Sequence, residues 1–254
     1  MRRHLSHSQI NSWLRCPKAY QHRYILESNP ERSSIHLLFG TAVHDALTAE
    51  AQRRLNGELG GKSYAVAAFK EMMVAKATIT DAELDLGTNT FSEWLTLGES
   101  LVAAYFEHGP VQDVVGMERE FQLTLPDGTP MVGFLDFVVD HGDGLEVVEL
   151  KTAARSYSDM QVRLAEQATA YAWALGADKK PVKVTYIVLV KTKVPKVQVI
   201  ETVRGPKDVR RFQELATTVR SGIEVGCFPR NQSVQNCSKC EFRDQCLGQV
   251  AQAA

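Results

Sequence analysis

The stretch Gly133 to Ala153, GFLDFVVDHGDGLEVVELKTA, reads as a β-hairpin. Apolar and β-branched residues run from Phe134 to Val139, His-Gly-Asp-Gly breaks the run, and Leu145 to Leu150 resumes it. A turn centred on Gly142-Asp143 pairs His141 with Gly144, and counting back places Asp136 opposite Glu149. Directly opposed residues share a face, with Cβ atoms roughly 4.5–5.5 Å apart. Lys151, two residues beyond Glu149, lies on that face too. Facing carboxylates repel, and a divalent cation between them is the simplest compensation. Oxygen ligands suit a hard cation such as Mg²⁺ or Mn²⁺. The neighbouring lysine can then orient water and offset charge developing on a phosphate. A surface hairpin with ordinary charges is the competing reading, and the rest of the chain decides between the two.

The chain has 254 residues, 44% hydrophobic and 23% charged, as in an ordinary globular protein. No apolar run reaches the ~18–20 residues that span a bilayer, and MRRHLSHSQI has no apolar h-region of a signal peptide. Five cysteines, three of them clustered, point to a reduced compartment and metal ligation, so a cytoplasmic protein is expected. Net charge is −1, yet Lys179–Arg211 holds ten Lys or Arg against two acids. That excess suits a face meeting phosphate backbone, or a lysine-rich edge strand.

In chain order, Leu5–Glu27 reads as two short helices, with Ser6 and Gln9 as a capping box, Leu5 stapled onto Ile10, and Cys16 at the joint before Pro17. Residues 29–36 read as a loop, and Leu37–Leu55 as a helix carrying Gly40 and His44. Ser63–His108 is helical by composition, its Met and aromatic positions expected in the core. Val114–Leu125 is the strand before the hairpin, with acids at Glu118 and Glu120. Asp159–Leu175 reads as one apolar helix on which Arg163, Gln167 and Tyr171 form a stripe. Pro181–Lys191 is a buried strand, Val197–Val203 an outer one, and Lys207–Val225 an amphipathic helix. Cys237, Cys240 and Cys246 supply three metal ligands, with Cys227 or the distant Cys16 as the fourth.

Asp136 followed by Glu149-Leu150-Lys151 resembles the PD-(D/E)xK nuclease motif, with Leu135 in place of the nominal Pro. Four further features are similar to the RecB-like branch: Cys16-Pro17 with Tyr20 and Tyr24, Gly40-x-x-x-His44, Gln167-x-x-x-Tyr171, and the C-terminal cysteine triad. CRISPR-associated adaptation nucleases and the nuclease domains of bacterial helicase–nucleases carry such sets. The resemblance implies an α/β fold with a restriction-endonuclease-like core, a mixed sheet flanked by helices, as one domain over residues 1–254. Within it, residues 5–27 bring the first cluster cysteine, 58–110 form a helical insertion, 114–203 the catalytic sheet, and 227–246 the C-terminal cluster segment.

The implied activity is metal-dependent hydrolysis of DNA, exonucleolytic on single strands or ends. A DNA-binding or assembly subunit in recombination, repair or CRISPR adaptation, beside a helicase, recombinase or integrase, is the alternative. The implied metal ligands are His44, Asp136, Glu149 and the Leu150 carbonyl, holding Mn²⁺ or Mg²⁺. Lys151 acts on the reaction, and Gln167 and Tyr171 hold DNA or brace the lysine. In some relatives an acid on the preceding strand, here Glu118 or Glu120, assists the metal. Cys16, Cys237, Cys240 and Cys246 would bind a 4Fe–4S cluster, with tetrahedral Zn²⁺ as the alternative. Cys227 is then a spare, buried cysteine.

Overall fold

The computed structural model describes residues 4–30, 32–80 and 83–248. Its first half runs α1 (His7–Arg15), α2 (Pro17–Tyr20) with a π-helical turn at Gln21–Ile25, β1 (Arg32–Ser34), α3 (Ile35–Leu55), α4 (Lys62–Thr78), β2 (Glu83–Asp85) and α5 (Phe91–His108). The second half runs β3 (Val114–Thr124), β4 (Pro130–Asp140), β5 (Leu145–Ala153), α6 (Asp159–Arg163), α7 (Glu166–Ala174), β6 (Val182–Val190), β7 (Lys196–Arg204), α8 (Pro206–Glu224), α9 (Val234–Cys237) and α10 (Arg243–Leu247).

The main sheet has the order β3-β4-β5-β6-β7. All its pairs are antiparallel except β5 with β6, which run parallel. That pair needs a crossover, and α6 and α7 supply it. The apolar run of β6 is buried on both faces, as expected of a central strand covered by helices. One face packs a core with Ile10, Tyr20, Tyr171, Phe212 and Val219 from α1, α2, α7 and α8. The other packs against Phe39, Val43, Phe69, Trp94 and Tyr105 from α3, α4 and α5. The aromatic residues of α4 and α5 are therefore largely core, with Phe106 half-buried. No described helix is long and apolar enough to cross a membrane.

Several local expectations are corrected. Residues 32–34 are a strand, parallel to β2, where a loop was expected. Ser6 accepts from the Gln9 amide as a cap, but the backbone of Leu5 bridges to Met131 and bonds Pro130 and Val132, extending the sheet. The expected helix 159–175 breaks at Leu164-Ala165, leaving Arg163 on α6 and out of the stripe. Arg204 causes the break: its guanidinium takes the carbonyls of Val162 and Arg163 at 2.8 and 3.0 Å. Those carbonyls are thereby satisfied without a further helical turn.

Candidate active site

The hairpin register is the one counted from the turn: Phe137 pairs with Val148, Asp140 with Leu145, and the His141 amide donates to Gly144. Extending that register sets Asp136 opposite Glu149. On the other side of β4, Met117 pairs with Phe137 and Arg119 with Leu135, so Glu118 faces Asp136. Three adjacent strands thus present an acid each, in one row.

Glu118 and Asp136 sit where both strands rotate. Met117 and Phe137 face the core under α3, while Phe121 and Leu135 face the core under α7. Unbroken alternation would keep all four on one side. Glu118 absorbs the rotation in a left-handed backbone, φ 45°, and the register of β3 has already shifted between Val114 and Gly116. Bulges and left-handed non-glycine residues concentrate at functional sites. The rotation lets Asp136 address both sides of the sheet. Its Oδ2 accepts from the Leu150 amide at 2.9 Å, and its Oδ1 lies 3.1 Å from His44 Nε2.

His44 arrives on α3. A Cβ at Gly40 would lie 3.1 Å from the Thr152 hydroxyl, so glycine lets the helix approach β5 closely. One turn later His44 Nε2 reaches Asp136 and, at 3.3 Å, Glu118 Oε1. Nε2 is shielded from solvent yet makes no well-aligned hydrogen bond. The ligand atoms of His44, Glu118 and Asp136 all lie within 4.8 Å of one another. One nitrogen and two oxygens gathered this way are a donor set for a divalent cation.

Beside them, Glu149 is buried, with Lys151 Nζ 2.5 Å from its Oε1. Gln167 Nε2 donates to Glu149 Oε1 at 2.9 Å and approaches the Tyr171 hydroxyl at 2.7 Å. Glu149 Oε2 is buried with no protein partner, a vacant acceptor next to the His44 group. The structure thus brings together His44, Asp136, Glu149, Lys151, Gln167 and Tyr171. It adds Glu118 to the metal-ligand atoms and leaves Glu149 outside that tight set. For Leu150 it ties the amide, rather than the carbonyl, to Asp136.

Charge follows from this packing. Burial disfavours the His44 imidazolium, but the carboxylate of Asp136 beside it, then those of Glu118 and Glu149, outweigh it and raise the pKa to about 9. Burial pushes Glu149 up and Asp136 adds to it, against the pull of Lys151. Burial works against the Lys151 cation, yet Glu149 more than compensates and its pKa is raised. Burial likewise opposes ionisation of Asp136, but His44, the Leu150 amide and Lys151 hold its carboxyl low.

Residues 4–247 match the sequence model of the PD-(D/E)XK nuclease superfamily. The chain belongs to this superfamily. In this PD-(D/E)XK nuclease the fold also matches a solved structure, a candidate exonuclease from Eubacterium rectale. The TM-score is 0.61 at 13% identity, covering 96% of this chain and 88% of the other. The structure of SSO0001 aligns over 92% of this chain and 94% of its own at 16% identity, with a TM-score of 0.36 that carries no weight. No curated protein matches this nuclease significantly.

Elsewhere in the nuclease, Cys16, Cys237, Cys240 and Cys246 line one cavity of about 30 Å³. Chain ends more than two hundred residues apart are stitched around it. Asn231 and Asn236 donate to the Arg15 carbonyl at 2.9 and 3.1 Å, and the Lys18 amide donates to Pro229 at 3.2 Å. Cys227 lies outside that lining and is exposed, where a buried residue was expected. The basic stretch is partly spent inside the fold: Arg204 is buried, Lys183 pairs with Glu201 at 2.8 Å, and Lys191 lies over the Phe39 and Trp94 rings. Glu118 is what sequence reading held only as an alternative, because its approach depends on the rotation of β3.

Proposed function

We propose that the protein is a metal-dependent deoxyribonuclease that hydrolyses phosphodiester bonds in single strands or at strand ends. The convergence of His44, Glu118 and Asp136 beside the buried Glu149–Lys151 pair carries this reading. Those three side chains would hold Mn²⁺ or Mg²⁺, with the vacant Glu149 oxygen and the Leu150 carbonyl as further donors. When bound, the cation polarises the phosphate and lowers the pKa of water.

The chain's own groups do the rest. Gln167, backed by Tyr171, fixes the Glu149 carboxylate, and Glu149 in turn aims the Lys151 ammonium. Lys151 positions the attacking water and offsets charge developing on the phosphate oxygens. The water oxygen forms the new P–O bond and its proton passes to solvent or a carboxylate; the P–O3′ bond breaks, and the 3′-oxygen leaves with the electron pair and takes a proton from solvent, giving a 5′-phosphate and a 3′-hydroxyl.

We also assign the four-cysteine cavity to an iron–sulfur cluster of the 4Fe–4S type. Four cysteines brought from both ends of the chain to one cavity are the observation behind the assignment, with zinc as the alternative metal.

The deciding experiment incubates the purified protein with end-labelled linear and closed circular DNA in Mn²⁺, Mg²⁺ or EDTA. Progressive loss of linear strands with metal, none with EDTA, and sparing of circles are expected. Cleavage that survives EDTA, or no cleavage in either metal, overturns the assignment. Iron and sulfide analysis of anaerobically purified protein tests the cluster, and zinc without iron refutes it.

A further inference from the structure

A cavity of about 450 Å³ opens against Lys151, between α1 and the turn joining α6 to α7. It lies on the α7 side of the sheet, whereas His44 reaches Asp136 from α3. Its walls include His7 and Asn11 from α1, Tyr157 from the loop after β5, Gln161 from α6 and Glu166 from α7. The loop is held in place. Gln198 of β7 accepts from the Tyr157 amide at 2.7 Å and donates to the Tyr157 carbonyl at 2.8 Å.

The lining chemistry describes an occupant. Among the described residues that line the cavity, Lys151 carries the one fixed positive charge, so a single phosphate is favoured, at that end. His7, half-buried beside Lys151, is held neutral, its pKa lowered to about 4 by burial first and by the Lys151 charge second. The cavity offers the Tyr157 ring and the side-chain amides of Asn11, Gln161 and Gln167, the last already held by Glu149 and Tyr171, with a Glu166 carboxylate oxygen buried and unpartnered. A carboxylate repels a second phosphate but accepts from amino or hydroxyl groups. Aromatic rings stack bases, and Asn and Gln amides hydrogen-bond base edges. The size falls within the ~300–1,000 Å³ of small-molecule sites.

We propose that this cavity binds one unpaired nucleoside of the DNA strand, its base on Tyr157 and its edge on Asn11 and Gln161, with the adjoining phosphate at Lys151. This rests on the nuclease reading above and adds the selection that reading lacks. A base must leave the helical stack to enter a cavity walled on both sides, so unpaired ends are taken and paired ends refused.

The test uses the cleavage-impaired Asp136→Asn protein, which keeps Lys151 at the cavity, with Mn²⁺ and oligonucleotides carrying terminal 2-aminopurine, unpaired or within a blunt duplex. Its fluorescence should change on binding of the unpaired end only. Tyr157→Ala in the same background should weaken that binding roughly tenfold to hundredfold, while Tyr157→Phe restores it. In the otherwise wild-type enzyme, Tyr157→Ala should raise KM for unpaired ends more than it lowers kcat. An unchanged affinity for Tyr157→Ala, or equal signals from paired and unpaired ends, overturns the cavity's role while wild-type cleavage stands. Absence of both metal-dependent cleavage and binding removes the nuclease reading along with it.

Discussion

At the scale of single residues, the site is a contest over one proton and one cation. His44 in the metal-free protein is held protonated by Asp136, Glu118 and Glu149, its pKa raised to about 9 from 6.5. A group whose folded pKa is raised stabilises the fold fully below its unfolded pKa and loses that contribution as pH rises through the folded value. In EDTA, the melting temperature of the wild type should therefore fall between pH 6.5 and about 9 more than that of His44→Gln. Parallel slopes for the two proteins would remove His44 from this role. Mn²⁺ must displace the same proton, so its affinity should rise across that window, as calorimetry at several pH values can read. Glu118→Gln should weaken Mn²⁺ binding about tenfold or more, since even outer partners of a metal site are worth that much. Titration of both proteins by calorimetry checks it, and an unchanged affinity would exclude Glu118 as a ligand. Lys151→Ala should keep metal binding but lose roughly 10²–10³ in rate, the usual cost of one preorganised charge at a developing anion. Single-turnover cleavage measures it, and near-normal turnover would discard the mechanism.

At the scale of elements, α4 and α5 act as the cover of one sheet face. Gly98 on α5 shows how close that packing is. A Cβ there would lie 1.9 Å from the Phe69 ring of α4, a ring that is itself fully buried. Gly98→Ala would gain helix propensity of about 1 kcal/mol. The displaced Phe69 should cost more, since overpacking a filled core costs about 1–3 kcal/mol. We expect a net destabilisation of ~1 kcal/mol or more in urea unfolding, with cleavage chemistry retained in the folded fraction. A gain in stability would show that the α4–α5 contact is loose. The broken α6–α7 segment makes the opposite point. Its apolar pattern is continuous, and the break comes from Arg204, a residue about forty positions later.

At the scale of the molecule, the two chain ends meet around the four-cysteine cavity while the sheet lies between them in sequence. If Cys16 and the C-terminal triad share one cluster, its ligands close a loop of most of the chain. Long loops lose much entropy on closure, and ligands that bind only the folded state add to stability. Cys16→Ser should therefore lower iron content and make both the α1–α2 segment and the C-terminal tail sensitive to limited proteolysis. Cys227→Ser, at an exposed position outside the cavity, should change neither. Iron loss in Cys227→Ser with a protease-resistant, iron-replete Cys16→Ser would replace the end-to-end staple with a local C-terminal site.

The sequence by itself determined what depends on near neighbours. The hairpin register followed from a turn and a period of two, so the order of Asp136 and Glu149 across the strands could be counted. The Gln167–Tyr171 pair followed from one helical turn, and Gly40 and His44 from another. The motif residues likewise sufficed to suggest the nuclease superfamily. Tertiary structure decided whatever depends on contacts between distant segments. Glu118 joins His44 and Asp136 because β3 and β4 rotate there and α3 packs across them, neither of which has a local signature. Arg204 ends α6, Leu5 extends the sheet, and Cys16 meets Cys237, Cys240 and Cys246, each across a gap that no periodicity spans. Periodicity reports which face a residue takes within its own element. Where that face meets another is set by how the whole sheet twists and which helices cover it.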